Sequence, residues 1–351
     1  ALNLPAAAPP VGDTLRAALS HILMSRDGPA LQPGTRSYAR SWIRDGAMMV
    51  AGLLRLGEVE PAREFVQWYA RHLFGNGKVP CCVDARGADP VAENDSHGQF
   101  IFAVAELWRH TRDEALLRAL WPQVDAAARY QEQLRQSERT AANRQPGREG
   151  WFGTMPASIS HEGYSAKPMH SHWDNFWALT GWRDAVLLAR AMGLRERADE
   201  LSRQHDEFRR ELGESLAATM ARHRIDHLPG AVELGDFDPT SSTVIFSPAG
   251  VEALVPRATL EATWQRWWDE SEARRRGTRP WKDYTPYELR SVSSLVRLGW
   301  PERALAMLDF FHADRRPAGW PQWAEVVWRD PRDPRFIGDM PHAWISSDYI
   351  R

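Results

Sequence analysis

The sequence predicts an all-α protein in which six helical hairpins close into an (α/α)6 toroid, with long loops forming a funnel on one rim. Apolar residues recur at spacings of three to four along almost the whole 351-residue chain, and alternating runs rich in Val and Ile are scarce. The predicted connections between helices alternate between short and long, as a closed ring of helical hairpins requires. A solenoid of similar helix pairs is the alternative.

Twelve helical stretches follow from this spacing, and Gly, Pro or Asp marks many of their ends. They cover approximately residues 13–24, 41–56, 60–74, 97–111, 113–136, 172–192, 194–220, 241–254, 257–275, 284–298, 301–315 and 342 onward. The long connections are roughly 75–96, 137–171, 221–240, 276–283 and 316–341. Loops of this length are usually functional, so we expect the N-termini of the even-numbered, inner helices to face the funnel.

Composition and charge exclude several classes of protein. The formal net charge of −2 gives no general attraction to nucleic acid or to a membrane, and no apolar run approaches the roughly 20 residues of a membrane span.

Residues 1–12 are rich in Pro and Ala and are expected to be a linker. Residues 13–351 are expected to form a single catalytic domain of a longer chain, so additional domains of the same polypeptide are candidate partners. Export is slightly favoured over a cytoplasmic location.

Two adjacent residues, Cys81 and Cys82, are the only cysteines of the chain. They are expected to be free thiols in a loop. A vicinal disulfide is the alternative, and it would favour an exported protein. Two neighbouring cysteines by themselves provide neither a zinc site nor a disulfide framework. No cofactor and no metal are predicted, although the loop carboxylates leave Ca²⁺ binding open.

The 17 tryptophans are the most unusual feature of the composition. Tryptophan offers a large flat apolar face with one N–H donor, and the C–H faces of sugars stack on such rings. Because the densest aromatic and acidic clusters fall at the predicted starts of inner helices, we expect a carbohydrate ligand there. The predicted substrate-binding residues are Tyr38, Trp42, Arg44, Asp45, Glu93, Asp95, His97, Glu162, His172, Trp173, Trp281, Trp320, Trp323 and His342.

The first two clusters combine carboxylates with hydrogen-bond donors. Arg44 and Asp45 open the first inner helix, where a donor and an acceptor together can bind vicinal sugar hydroxyls. A local ion pair with Asp45 capping the helix is the alternative. The second inner helix begins near Glu93 and Asp95, and there Asp95 and Ser96 could simply be N-caps.

Asp174 is the candidate general acid. It follows Trp173 at the start of the third inner helix, and apolar surroundings raise the pKa of a carboxyl. The alternative is that Asp174 caps the helix. His170 and His172 beside a carboxylate also suggest a metal site, but their i, i+2 spacing is not that of a helical ligand pair.

Glu325 is the candidate general base, because it is one acid among three tryptophans in residues 319–328. A structural salt bridge is the alternative. The clusters at residues 233–242 and 281–288 are expected to shape the funnel rather than to react. Glycoside hydrolysis requires two carboxyl groups, and here they come from different loops. We expect the two groups to lie roughly 6.5–9.5 Å apart, which leaves room for a water molecule between them.

These motifs resemble those of the six-hairpin glycosidases, in particular the glucoamylases and the processing α-glucosidase I (mannosylglycerate hydrolase) group. Trp42–Gly46 resembles the Trp-x-Arg-Asp element that grips the sugar before the cleaved bond, and Glu93–Gly98 is similar to the acidic start of the second inner helix. His172–Asn175 is similar to the Gly-Trp-Asp-Asn element of the general acid, with His172 in place of the usual Gly. Trp323–Glu325 occupies the place of the base, without the usual Glu-Asn-Tyr-Asn context.

The resemblance implies an inverting, exo-acting glycosidase of an α-linked glucoside or a related oligosaccharide, with Asp174 as the acid and Glu325 as the base. Two other classes stay open. A sugar epimerase or polysaccharide lyase on the same toroid would use His, Tyr or Arg to abstract a proton, and several histidines fall in the predicted funnel. A non-catalytic carbohydrate-binding module is the third class.

Overall fold

The computed structural model describes residues 9–36, 38–279, 285–315, 319–327 and 340–351. Within these ranges the α-helices are α1 (Pro9–Met24), α2 (Ile43–Arg55), α3 (Val59–Ala70), α4 (Ser96–Thr111), α5 (Glu114–Glu138), α6 (His172–Ala191), α7 (Arg195–His223), α8 (Pro239–Ser242), α9 (Arg257–Arg275), α10 (Arg290–Arg297), α11 (Pro301–Ala313) and α12 (Ala343–Ile350). Eleven of the predicted stretches correspond to α-helices, so the predicted all-α class is confirmed. No helix in the described ranges is long and apolar enough to cross a membrane.

The predicted helix at residues 241–254 is wrong. The chain there forms the short helix α8 and then two separate 3-10 turns, at Thr243–Ile245 and Glu252–Leu254. Pro248 has no backbone N–H and disfavours the helical conformation of the residue before it, so a helix cannot run through this point. Gly250 has φ +65°, a left-handed conformation that also interrupts a helix.

The strands in the described residues are short: β1 (Arg26–Asp27), β2 (Ala30–Leu31), β3 (Ser41–Trp42), β4 (Cys82–Asp84) and β5 (Gly87–Ala88). β1 pairs antiparallel with β2, and β4 pairs antiparallel with β5. Cys81 and Cys82 are buried free thiols at the start of β4, so the vicinal disulfide is not formed.

By its contacts the chain divides into two compact units, residues 1–65 with 264–351 and residues 66–263. In the first unit α12 packs against α1 and α2, and α10 packs against α11. In the second unit α6 packs against α4 and α7, and α5 packs against α4. Helix α1 begins at Pro9, inside the segment 1–12 that the sequence assigns to a linker. The single catalytic domain over residues 13–351 stays a prediction.

Helices α4 and α6 approach each other closely through two glycines. A Cβ atom added at Gly98 would lie 2.0 Å from the backbone oxygen of Trp177, and one added at Gly181 would lie 2.7 Å from the Cα of Gly98. Helix α6 is buried on most of its surface, which agrees with its aromatic and aliphatic composition on all sides. The absence of side chains at Gly98 and Gly181 therefore lets the α4 and α6 backbones lie in direct contact.

Helix α2 is buried from its first turn onward, and this places the Arg44 and Asp45 side chains inside the first unit. Gly46 follows them and packs against an aromatic ring. A Cβ atom added at Gly46 would lie 2.1 Å from Cζ of Phe65. The glycine of the Trp42–Gly46 motif therefore has a packing role beside the polar pair.

We predict that Gly98→Ala destabilises the protein by about 1–3 kcal/mol, because the new methyl group meets the backbone of α6 rather than a movable side chain. Denaturant titration measures the change in the free energy of unfolding. The matched control is Gly213→Ala in α7, where the added Cβ makes an ordinary 3.7 Å contact with Leu254. It should be neutral or stabilising, since Ala favours helix over Gly. Equal losses in both variants would contradict the close approach of α4 and α6.

Candidate active site

The carboxyl of Asp174 lies in the first turn of α6 and is buried. The N-cap of this helix is Ser171, whose hydroxyl oxygen accepts a hydrogen bond from the backbone N–H of Trp173 at 3.2 Å. The capping role considered for Asp174 is therefore wrong. Its carboxylate oxygens instead accept hydrogen bonds from the hydroxyls of Ser158 at 2.6 Å and Ser160 at 2.7 Å.

The loop that carries these two serines is held in an unusual conformation. The backbones of Ser158 and Met169 exchange two hydrogen bonds of 3.0 Å, which tie the loop to the segment before α6. Ser160 has φ 54° and Glu162 has φ 66°. A left-handed conformation costs a non-glycine residue on the order of 1 kcal/mol or more, and such residues cluster at functional sites.

Asp95 lies at the start of α4 and contacts Trp173, the residue that precedes Asp174. Its Oδ2 accepts hydrogen bonds from the indole N–H of Trp173 at 2.6 Å and from the side-chain amide of Gln99 at 2.8 Å. Asp95 occupies the N-cap position, but its side chain makes no capping hydrogen bond. Its Oδ1 is buried and has no hydrogen-bond partner among the described residues. A buried carboxylate oxygen in this state is suited to accept a hydrogen bond from water or a ligand.

The surroundings of Asp174 favour its protonated form. Burial and the neighbouring charge of Asp95 raise the pKa of Asp174 to about 7. The hydroxyls of Ser158 and Ser160 act in the opposite direction, as does the charge of His161. The raised pKa expected beside Trp173 is therefore found, and the carboxyl can carry a proton near neutral pH, as a general acid must.

The imidazole of His161 packs against the indole of Trp173, with ring centroids 5.2 Å apart. Its Nδ1 accepts a hydrogen bond from the backbone N–H of Gly163 at 3.2 Å. Nε2 lies 2.5 Å from the hydroxyl oxygen of Ser241 and 3.2 Å from a carboxylate oxygen of Asp238. These contacts fix the orientation of the ring against Trp173.

His170 belongs to an ion pair. Although burial opposes its charge, the neighbouring carboxylates of Glu138 and Glu233 raise the pKa of His170 to about 9. Its Nδ1 lies 2.5 Å from Glu233 and its Nε2 lies 3.6 Å from Glu138. Among the described residues, His170 and His172 do not belong to a group of three closely spaced His, Cys, Asp or Glu ligands, so the geometry gives the metal alternative no support. His172 is buried, and burial lowers its pKa to about 3.

In the first unit, Arg44 and Asp45 form the polar pair that the sequence predicts. Both are buried, and Arg44 Nε lies 3.8 Å from Asp45 Oδ2. The guanidinium of Arg44 also lies over the ring of Trp344, 5.5 Å from its centroid. The N-cap of α2 is Trp42, so Asp45 does not cap the helix. The local ion pair is present, and binding of sugar hydroxyls by the same groups stays a prediction.

Glu325 accepts hydrogen bonds from two phenols of the first unit. The hydroxyl of Tyr38 donates to Oε2, and the hydroxyl of Tyr287 donates to Oε1 at 3.3 Å. The Tyr287 oxygen also lies 3.3 Å from Nε2 of His342. Burial and the charges of Glu325 and Asp45 raise the pKa of Tyr287 well above its ordinary value, so this phenol is a neutral donor.

The predicted site residues are distributed over both units. The second unit brings together Asp95, Trp173 and Asp174. The first unit brings together Tyr38, Trp42, Glu325 and His342. Glu93, His97, His172 and Trp323 are buried. Trp320 is 61% exposed, Glu162 is exposed, and Trp281 lies outside the described residues. The binding roles of these residues stay predictions.

Several residues of the site are not apparent from the sequence. Ser158 and Ser160, which hold the carboxyl of Asp174, were missed because two hydroxyls in a loop are a weak signal. For the segments that contain Asp238 and Tyr287, the sequence predicts only that they shape the funnel. The structure shows that Asp238 orients His161 and that Tyr287 donates to Glu325.

Comparison with solved structures finds the same fold in glycosidases. A wild-type glycosidase aligns with a TM-score of 0.68 over 99% of this chain and 97% of its own, at 15% identity. A rhamnosidase from Klebsiella oxytoca with rhamnose bound aligns with a TM-score of 0.66 over 97% of this chain and 63% of its own, at 13% identity. A GH63 mannosylglycerate hydrolase from Thermus thermophilus aligns with a TM-score of 0.61 over 96% of this chain and 99% of its own, at 13% identity. No protein-family model and no curated protein matches the chain.

The fold class is therefore that of the helical-toroid glycosidases, and the predicted (α/α)6 class is confirmed. The resemblance to six-hairpin glycosidases is confirmed for the fold. At sequence identities this low, the alignments show a shared fold, and the chemistry depends on the residues of the site.

We predict that Asp174→Asn stabilises the folded protein at about pH 8 and changes its stability little at about pH 4. Because the pKa of Asp174 is raised on folding, the wild type loses stability as the pH rises from about 4 to about 7. The amide carries no charge to bury. Thermal unfolding at a series of pH values measures the difference, which should reach the order of a few kcal/mol.

Asp95→Asn is the companion variant. It removes the charge that helps to raise the pKa of Asp174, so this variant should lose less stability than the wild type as the pH rises. A difference between Asp174→Asn and the wild type that is the same at both ends of the pH range would contradict the raised pKa.

Proposed function

We propose that this protein is a glycoside hydrolase in which Asp174 is the general acid and Glu325 is the general base. The observation that carries the proposal is the buried carboxyl of Asp174, with a pKa of about 7, held by two serine hydroxyls beside a second carboxylate. Such a group can protonate the leaving oxygen of a glycosidic bond near neutral pH. The fold shared with glycosidases supports the same chemistry.

The two serines suit a carboxyl that alternates between protonation states. A hydroxyl has one donor and two lone pairs, so it can donate to the carboxylate and accept from the protonated acid by rotating. One oxygen of Asp174 must leave its serine partner when it donates to the sugar oxygen. Ser158 and Ser160 therefore position the acid, and Asp95 Oδ1 can accept a hydrogen bond from a sugar hydroxyl.

The base of the proposed reaction is Glu325. Two phenols orient its carboxylate, and the residue is partly exposed, which gives water access to it. In the proposed reaction Glu325 takes a proton from a water molecule, and the water oxygen attacks the anomeric carbon. The bond to the leaving oxygen breaks as that oxygen takes a proton from the general acid. Attack from the face opposite the leaving group inverts the anomeric configuration.

The proposed substrate is an α-linked glucoside or a related oligosaccharide, cleaved from its end. Trp42 supplies an aromatic face, and Arg44 with Asp45 supplies a donor and an acceptor for vicinal hydroxyls. A glycosidase variant of the same fold, with a TM-score of 0.66 at 13% identity, is in complex with glucose, which supports a glucose-sized ring.

We predict that Asp174→Asn and Glu325→Gln each lower kcat on an unactivated α-glucoside by about 10²–10⁴-fold. A dinitrophenyl α-glucoside separates the two roles, because its leaving oxygen needs no protonation. On that substrate Asp174→Asn should recover most of its activity, whereas Glu325→Gln should not. The matched control is Glu214→Gln at an exposed position of α7, which should behave as the wild type.

The pH dependence provides a second measurement of the same variants. The kcat/KM of the wild type should fall as the pH rises through about 7, because Asp174 loses its proton. This alkaline fall should be absent from Asp174→Asn on the activated substrate. Asp174 is not the acid if its Asn variant loses equal activity on both substrates.

Product analysis distinguishes hydrolysis from the other activities of this fold. Proton NMR of the first product should show the β-anomer released from an α-linked substrate, as inversion requires. An unsaturated uronide would indicate a lyase, and an isomerised sugar without cleavage would indicate an epimerase. Sugar binding without turnover would indicate a binding module. Each of these three outcomes would replace the proposed hydrolase.

A further inference from the structure

A second group of reactive side chains lies outside the candidate active site, at the hairpin formed by β4 and β5. Cys81 and Cys82 are 2% and 1% exposed, and their Sγ atoms are 3.4 Å apart. A disulfide bond would bring the sulfur atoms to about 2.05 Å, so these are two thiols in contact.

Asp89 brings a third potential ligand to the two cysteines. Its backbone N–H donates to the backbone oxygen of Cys82 at 2.9 Å, which fixes the chain after β5 beside the start of β4. One carboxylate oxygen, Oδ1, accepts a hydrogen bond from the backbone N–H of Val91 at 3.0 Å. The two sulfur atoms and one carboxylate oxygen of Asp89 all lie within 4.8 Å of one another. The hairpin thus supplies the third ligand that two neighbouring cysteines lack by themselves.

The spacing of these atoms fits a small cation that prefers sulfur. Zinc–sulfur bonds are about 2.3 Å and zinc–oxygen bonds about 2.0–2.2 Å, so the ligand atoms around a tetrahedral zinc ion are roughly 3.3–3.8 Å apart. Two sulfur ligands of a tetrahedral zinc ion lie about 3.8 Å apart, so the sulfur atoms, which are 3.4 Å apart, need to separate by only a few tenths of an ångström on binding. Thiolates select zinc and softer ions, whereas Mg²⁺ and Ca²⁺ prefer oxygen ligands. Asp89 is partly exposed, which leaves a fourth position for water.

The charges around the thiols also suit a divalent cation. Binding displaces one proton from each thiol to solvent, so two thiolates and one carboxylate surround the ion and leave one negative charge. The ammonium of Lys78 interacts with both Cys81 and Asp89, and it donates a hydrogen bond to the backbone oxygen of Pro90. One positive charge at this place offsets the remaining negative charge.

We infer that Cys81, Cys82 and Asp89 form a binding site for a thiophilic divalent cation of the zinc class. The bound ion would join the start of β4 to the segment after β5 and so stiffen the hairpin. This segment leads to Glu93 and Asp95, at the start of α4. The site is independent of the proposed glycosidase activity, because none of its three ligands belongs to the acid or the base.

Titration of the reduced full chain with Cd²⁺ tests the site without any variant. The chain has two cysteines, so an ultraviolet thiolate-to-cadmium absorption band must arise from Cys81 and Cys82. We expect the band to saturate at one Cd²⁺ per chain and to disappear when Zn²⁺ is added in excess. The unfolding temperature should rise with the cation concentration, because the ion binds the folded state.

Variants identify the third ligand. Asp89→Asn should keep the band and weaken Cd²⁺ binding by at least about tenfold. The matched control is Asp84→Asn, a carboxylate of the same hairpin that pairs with Arg86 and should keep the wild-type affinity. Circular dichroism verifies that both variants are folded. The site is refuted by the absence of the band, by one Cd²⁺ per two chains, or by equal effects of the two variants.

Discussion

Asp95 and Asp174 are buried close enough together that the charge of one raises the pKa of the other. Two carboxylates in an environment of low dielectric constant cannot both ionise without a large cost in free energy, so the pair retains a proton to higher pH than a single exposed carboxyl. Trp173 connects the two groups, because its indole N–H donates to Asp95 while its backbone neighbour is Asp174. The proposed acid chemistry depends on this pair.

The pair depends in turn on the packing of α4 against α6. Gly98 and Gly181 let the two backbones approach to a distance that a methyl group would prevent, and the polar residues lie at the N-terminal ends of both helices. The protein gives up stability there in several ways. It buries a carboxyl, leaves Asp95 Oδ1 without a partner among the described residues, and holds Ser160 in a left-handed conformation. Such local costs at one place are typical of a functional site.

The two candidate catalytic carboxyls have different surroundings. Asp174 is fully buried and receives hydrogen bonds from aliphatic hydroxyls beside another carboxylate. Glu325 is partly exposed and receives hydrogen bonds from two phenols. Different surroundings are the usual means by which a protein assigns an acid role to one carboxyl and a base role to another.

The sequence by itself determined most of the helices and the polar pairs at their starts. Helical spacing is a local property, and it predicted eleven of the twelve stretches; Pro248 and Gly250 explain the exception at residues 241–254. Motifs of neighbouring residues, such as Trp173 with Asp174, were equally visible. The partners of these residues were decided by the tertiary structure. The serine hydroxyls on Asp174 and the phenols on Glu325 come from other segments of the chain, and contacts between residues far apart in sequence leave no periodic pattern in a single sequence. The carboxylate beside the cysteines comes from the same hairpin, and only the folded hairpin brings it there.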